Sequence, residues 1–406
     1  MHVLIVTSYF GLGGSETYAV TVGEQLERLG HTVTLFAGDA SSEGGDLAAS
    51  RALTLHTGDP ATLAEQDGFD AVIAQDAVSA YALASRDERP QVFVVHGMAP
   101  FEHPPLGVRP LPTVVALNDR IAARAAGMAS GAEVVRMRQP IDLWRFKART
   151  PARRRPRRVL AFSNYLQPDR LALLESACSE LGLELMRMGV TSTASVVPQQ
   201  RIADADIVVG YGRSILEGMS MGRAAYVWDQ GGGDGWVTPA TYPALEANGF
   251  AGSSSDQVID AERLREDFAN YRQDFGLLGC DLVRRHHSAT LHAEELVGLL
   301  KRAPAPTADP VNATFGLLAR AHTRAEHDRE SAHAQLRAKA EEAEAHLLRL
   351  NEIGAAGEAE RQGRLAAEQR LGEVEGKLGE VLNSSSWRLT APLRRLGRVL
   401  RVLRGR

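Results

Sequence analysis

Cysteine is nearly absent: Cys178 and Cys280 are the two in 406 residues. Two thiols cannot make a disulfide scaffold or a cysteine-rich zinc site, and their scarcity fits a reducing compartment. Long apolar runs are missing as well. No stretch reaches the roughly 18 residues of a membrane-spanning helix, and the opening MHVLIVTSYF carries no basic leader or small-residue cleavage site, so no signal peptide is expected. No excess of positive charge exists either. Lys and Arg total 46 against 50 Asp and Glu, a formal net charge of −4, which argues against a nucleic-acid binder with a globally basic surface. What remains is ordinary for a globular chain, with 44% apolar and 24% charged residues, enough to bury a core.

Short apolar runs punctuate the first three hundred residues. His2–Thr7, His31–Phe36, Ala71–Ala74, Gln91–Val95 and Thr113–Leu117 read as strands, with helical patterns between several of them. Arg158–Phe162, Leu183–Met188, Asp206–Val209 and Ala224–Trp228 repeat the pattern, with helices over Pro168–Leu181 and Ser214–Met221. Continuous apolar strands alternating with helices imply an α/β fold with parallel sheets covered on both faces. Lys147–Arg158, with two prolines and seven basic residues, reads as a solvated linker between two such domains, 1–150 and 151–302. It could also face a membrane.

The remainder differs. Residues 303–315 hold Ala303-Pro-Ala-Pro-Thr-Ala-Asp-Pro310 and read as an extended linker. Residues 316–382 show heptad spacing at Leu336, Ala340, Ala343, Leu347 and Leu350, and again at Ala367, Leu371, Val374, Leu378 and Val381. Gly354, Gly357 and Gly363 interrupt it, each costing a helix about 1 kcal/mol relative to alanine, so two helical segments with a stutter are expected. Coiled-coil pairing would make a homo-oligomer; the alternative is a single solvated helix. The tail 383–406 carries seven arginines and no acid from Trp387 onward, with Leu389, Leu393, Leu396, Val399, Leu400 and Leu403 at helical spacing. Such a basic amphipathic segment suits an anionic membrane surface. An RNA, an acidic groove on a partner, or plain solvation are the other readings.

Two glycine-rich turns follow strands and open helices. Gly11-Leu-Gly-Gly-Ser-Glu16 can hold a phosphate or a polar acceptor at a helix N-terminus. It is neither a dinucleotide fingerprint nor a P-loop. Gly210-Tyr-Gly-Arg-Ser-Ile-Leu-Glu217 places Gly212, Arg213 and Ser214 at a helix start, where a diphosphate would be welcome, and Glu217 near the first turn, where a carboxylate can take two vicinal hydroxyls. Glu217 alone could equally stabilise the helix dipole. Gln230-Gly-Gly-Gly-Asp-Gly-Trp236 can cradle phosphate or be a flexible loop, with Asp234 in reach of sugar hydroxyls. No His or acid cluster has metal spacing, and His286, His287 and His292 read as helix surface or core.

Taken in order, these residues resemble a glycosyltransferase of the two-Rossmann-domain type (GT-B), closest to the large retaining family four. Gly13-Gly-Ser-Glu16 resembles its Gly-Gly-x-Glu loop, and His96-Gly97 its strand-end histidine. Pro140-Ile-Asp142 with Phe146 is similar to the segment before the interdomain crossing, and Leu216-Glu-Gly-Met-Ser-Met-Gly222 to the core of the nucleotide-sugar site. Ser384-Ser-Ser-Trp387 and the residues after it are similar to an ending of bacterial surface-polysaccharide glycosyltransferases. The resemblance implies two Rossmann-like domains, an acceptor-side one followed by a nucleotide-sugar one. It implies sugar transfer from a nucleotide-sugar, a substrate rather than a cofactor, to a glycan or lipid-linked acceptor. The transfer would be metal-independent and retaining, in a cytoplasmic protein peripheral to the inner face of a membrane. Glu217 would hold the donor ribose, His96 the transferred sugar, and Gly13 and Gly14 the donor phosphate or the acceptor. Two positions depart from the family: Val209 stands where its first acid falls, and Asn164 where its diphosphate arginine falls. Arg170 can replace the neighbouring lysine, and Arg213 is expected to substitute for the arginine. A non-catalytic scaffold and a nucleotide-sugar epimerase share this architecture.

Overall fold

The computed structural model describes residues 1–59, 68–84, 88–99, 102–148, 150–164, 166–189, 197–229, 232–255, 258–307 and 310–384. Seven parallel strands form the first sheet: β1 (His2–Phe10), β2 (Thr32–Ala40), β3 (Leu55–Thr57), β4 (Ala71–Ala74), β5 (Gln91–Val95), β6 (Thr113–Ala116) and β7 (Val134–Arg136), in the order β3-β2-β1-β4-β5-β6-β7. Every residue of β4, β5 and β6 is buried, which is why these strands read as unbroken apolar runs rather than alternating ones. Helices α1 (Gly14–Arg28) and α2 (Ser42–Ala49) contribute to the core on one face, and α3 (Ala77–Ala84) and α4 (Asp119–Met128) to the core on the other.

The second sheet has the order β12-β11-β10-β8-β9, built from β8 (Arg158–Phe162), β9 (Glu184–Met188), β10 (Ile207–Gly210), β11 (Ala224–Asp229) and β12 (Gly232–Trp236). Its helices are α5 (Pro168–Glu180), α6 (Gln199–Asp204), α7 (Arg213–Ser220), α8 (Tyr242–Ala247), α9 (Ala261–Ala269) and α10 (Gln273–His286). The glycine-rich stretch expected as a loop is strand over residues 232–236, antiparallel to β11. Its glycines are a packing requirement: a Cβ on Gly233 would stand 2.4 Å from the Trp228 ring. It is the edge strand of this sheet, paired on one side with β11. Gln230 and Gly231 lie outside the described residues.

The boundary at 150 does not separate the two cores. Ile141 and Phe146 belong to the core of the second sheet, while Ala293, Leu296, Leu299 and Leu300 of α11 (Ala289–Leu300) pack into the core of the first. The chain therefore crosses twice. The crossings lie side by side, with Ile141 N–H donating to His287 O at 2.8 Å and Ala289 N–H to Ile141 O at 3.1 Å. Nor is the basic segment after the first crossing simply solvated. Buried Asp206 accepts from the backbone N–H groups of Arg153, Arg157 and Arg158.

The stretch expected as a free linker is strapped to the first domain. Gln91 N–H donates to Pro304 O at 3.1 Å and Thr307 N–H to Arg109 O at 2.8 Å. Helix α12 (Pro310–Asn383) opens within the expected linker, and its Phe315 stacks on Tyr81 at 5.6 Å. Proline suits the first turn of a helix because its missing N–H has no partner there. The expectation of two segments fails too: α12 is one helix of 74 residues through Gly354, Gly357 and Gly363. Without an internal proline, each glycine weakens the helix but removes no hydrogen bond. Residues 325–406 form a separate unit, in which Leu336, Leu347, Leu371 and Leu378 are exposed. All but the first two residues of the basic tail lie outside the described residues. Among the described residues, no helix is long and apolar enough to cross a membrane.

Candidate functional site

Both sheets turn the C-terminal ends of their parallel strands toward loops that carry the polar residues, the usual place for a ligand in an open α/β sheet. In the first domain, β1 runs through Gly11 into Gly13, the N-cap of α1. Glu16 curls back over this loop. Its Oε1 accepts from Gly11 N–H at 3.5 Å and its Oε2 from Ser15 Oγ at 2.9 Å, and a Cβ on Gly13 would stand 2.6 Å from it. Glu102 lies on the same edge, accepting from Ala99 N–H at 2.9 Å. Burial raises its pKa, and the nearby Glu16 and Asp76 raise it further. Two acids, Glu16 beside Gly13 and Glu102 beside Gly97, thus line this edge.

His96 follows β5. Its Nε2 lies 2.9 Å from Gln75 Oε1, and its ring meets Tyr18 edge-on at 4.9 Å. Burial, with Arg213 and His292 nearby, pushes its pKa down to about 3, so the imidazole is neutral at pH 7. Beneath it, Tyr18 O–H pairs with His292 Nε2 at 2.8 Å, and His292 Nδ1 lies 3.0 Å from Arg138 O. A carbonyl only accepts, so Nδ1 holds the proton and Nε2 receives the tyrosine hydroxyl. Tyr242, His287 and Gln139 O repeat the arrangement in the second domain, with 2.8 Å at both contacts. These histidines are core, as their lack of metal spacing suggested.

In the second domain β10 ends in Gly210-Tyr-Gly212. Gly212 has φ +56, in the left-handed region where a side chain is strained, and its N–H donates to Phe250 O at 2.9 Å. Ser214 Oγ donates to Tyr211 O at 2.8 Å. Arg213 turns inward. Its Nε donates to Glu217 Oε1 at 2.8 Å, Nη1 to Pro140 O at 2.8 Å and Nη2 to Thr21 Oγ1 at 3.0 Å, with 9% of its side chain exposed. The expectation that Arg213 supplies a free cation for a diphosphate is therefore corrected. The i,i+4 spacing sets it against Glu217, and a carboxylate buried this deeply needs a partner. Burial raises the Glu217 pKa, and Arg213 opposes the rise. Arg213 holds Oε1 of Glu217, while no hydrogen bond from the described residues reaches Oε2.

The other predicted residues scatter. Arg170 donates to the carbonyls of Asp229 and Gly232 and lies over the Trp228 ring at 5.6 Å, at the same strand edge. Asp234 accepts from Ser254 N–H at 2.9 Å and Ser255 N–H at 3.1 Å. Val209 is enclosed between β8 and β11 in the core, and an acid there would be buried among apolar side chains. The structure thus gathers Glu217, Arg213 and His96 around the junction with Thr21, which sequence reasoning missed. No local signal marks a contact 192 residues apart. Asn118 was missed as well. It caps α4 and lies so close to the second domain that a Cβ on Gly249 would stand 2.3 Å from its amide nitrogen. Arg136 bridges the same junction to Glu246 at 2.6 Å.

The fold has solved counterparts. The Anabaena protein HepE, crystallised in complex with UDP and glucose, is similar with a TM-score of 0.52 at 13% identity, over 74% of this chain and 100% of that one. A glycosyltransferase from Rickettsia africae gives a TM-score of 0.53 at 14% identity, over 74% of this chain and 98% of that one. The chain has the two-domain GT-B fold of these proteins. No family model and no curated protein matches it.

Proposed function

We propose that the chain is a glycosyltransferase that moves a sugar from a nucleotide-sugar to a hydroxyl of a glycan or lipid-linked acceptor. The observation that carries this is Glu217, a buried carboxylate at the C-terminal edge of the second sheet with one oxygen held by Arg213 and the other open. A ribose hydroxyl would donate to that Oε2. The bond from the sugar's anomeric carbon to the diphosphate breaks as the acceptor oxygen attacks and passes its proton to the departing diphosphate, so charge builds on the diphosphate before that proton arrives. The N–H groups of the first turn of α7 and the Arg170 guanidinium are what the strand edge would offer that charge, since the Gly212 N–H and the Ser214 hydroxyl already donate to Phe250 O and Tyr211 O. His96, neutral, would hydrogen-bond the transferred sugar. The acidic loop around Gly13 and Gly14 would take the acceptor. Transfer is proposed as retaining and independent of metal, with no resident cofactor.

The fold shared with HepE, which holds UDP and glucose, supports this reading. A thermal-shift panel of UDP, GDP, ADP, CMP and dTDP on the wild type and Glu217→Ala tests it. A ligand at 100 times its Kd stabilises by about 2.7 kcal/mol. One nucleotide should shift the wild type and not the variant. No shift with any of them would favour the second reading, a non-catalytic scaffold, for which Val209, Asn164 and the occupied Arg213 already speak. An epimerase would instead turn over the donor without an acceptor.

We further propose that α12 pairs with a second copy through its heptad stripe, and that the tail holds the enzyme at the inner face of a membrane, in the synthesis of a bacterial surface polysaccharide. Deleting 383–406 should release the protein from pelleted membranes.

A further inference from the structure

The first crossing between the domains makes a tight turn. Asp142 Oδ1 accepts from the N–H groups of Trp144 at 2.9 Å and Arg145 at 3.1 Å, and Phe146 N–H donates to Asp142 O at 2.9 Å. Asp142 and Phe146 are buried, yet Trp144 between them is 75% exposed. Trp228, by contrast, is buried and Trp236 half-buried. An indole held in water on a fixed turn forgoes about 25 cal/mol per Å² of apolar surface. Beside it lies a cavity of about 130 Å³ walled by the polar Gln25, Asp142, Ser288 and Thr290 and by Leu143, Trp144 and Ala289.

The charged side chain of the wall, Asp142, is already paired. Arg51 pairs with Glu24 at 2.9 Å and Asp142 at 3.6 Å, and Arg145 with the same two acids at 3.2 and 3.5 Å. The wall's carboxylate thus has cationic partners already, and an acyl chain would meet hydroxyl and amide groups beside Leu143 and Ala289. A ring with an apolar C–H face and hydroxyl edges matches both the indole and the polar wall. The volume is below the several hundred Å³ that enclose a whole small molecule, which fits one sugar unit of a longer chain.

We propose that this pocket binds one neutral pyranose of a glycan, a subsite separate from Glu217. It deepens the glycosyltransferase reading, on which it rests for its biological use, by naming a neutral glycan as the acceptor class. The test is saturation-transfer NMR on the full chain with maltotetraose, cellotetraose, mannotetraose and chitotetraose. At least one should bind saturably. Trp144→Ala should weaken that at least tenfold, Trp144→Phe should keep most of it, and Thr290→Val should weaken it, all with the nucleotide response unchanged. Binding to none of the four, or undiminished binding in Trp144→Ala, overturns the proposal. So does a blue shift of tryptophan emission with phosphatidylglycerol vesicles that is lost in Trp144→Phe and persists in the 383–406 deletion, with no glycan binding, which would make Trp144 a membrane contact. Glycan binding without any nucleotide response would leave this site standing and sink the donor reading instead.

Discussion

The Arg213 guanidinium, on the second domain, donates across the domain junction to Thr21 Oγ1 on α1 of the first, at 3.0 Å. The same side chain neutralises Glu217. One residue thus ties the candidate donor site to the relative placement of the two domains, and whatever draws Glu217 away also loosens the junction.

Removing one member of this pair should cost more than removing both. Arg213→Met leaves a buried carboxylate uncompensated, with an expected loss of about 3–5 kcal/mol. The double variant Arg213→Met/Glu217→Leu should be the more stable protein, as read by urea unfolding. Additive losses would mean the two side chains act independently.

Acid should weaken the fold through the two histidine–tyrosine pairs. Burial pushes His287 down to about 3 and His292 to about 4, against an ordinary value near 6.5. Below that ordinary value the unfolded chain takes up protons that the folded one refuses. Their stabilising contribution is therefore present above about pH 6.5 and is lost as pH falls toward 4 and 3, by at most about 1.4 kcal/mol per pH unit for each group. Melting temperature against pH should fall less steeply in His287→Gln than in the wild type.

Gly249 should tolerate no side chain. Its φ is +70, and a Cβ would strike the amide of Asn118 at 2.3 Å. Gly249→Ala should lose about 1–2 kcal/mol from the backbone alone and displace the α4 cap besides, seen as a lower melting temperature. An unchanged melting temperature would show that the junction yields freely.

Glu16→Gln removes a negative charge from the loop at Gly13 while keeping its hydrogen-bonding oxygen. If this edge holds the acceptor, the variant should raise the acceptor KM several-fold and leave UDP stabilisation where it was. A change in nucleotide response alone would move the donor phosphate to this loop.

Much of this architecture was legible because its central strands are buried on both faces. Gln91–Val95 and Ala71–Ala74 stand out as apolar runs and match β5 and β4 residue for residue. Short edge strands such as Leu55–Thr57 have too few residues to carry a pattern. Gly232–Trp236 looked like a loop because its glycines answer to the Trp228 ring, which no reading of neighbours along the chain reveals. Glu217 was legible from its place after a strand and in a helix. Its partner was visible only as a spacing, and Arg213 was given the wrong task because its other two contacts, Thr21 and Pro140, are remote in sequence.

The paired crossings at Ile141 and Ala289 set the mechanics of the molecule. Two covalent tethers joined edge to edge would resist sliding and shear more than rotation about their common line, which the Arg213–Thr21 and Arg136–Glu246 contacts restrain. The domains would then open as a door swings on one pin. Trp144 sits on one leaf of that pin and Thr290 follows the other. A ligand gripping both would stiffen the swing far from the strand edges where Glu217 lies.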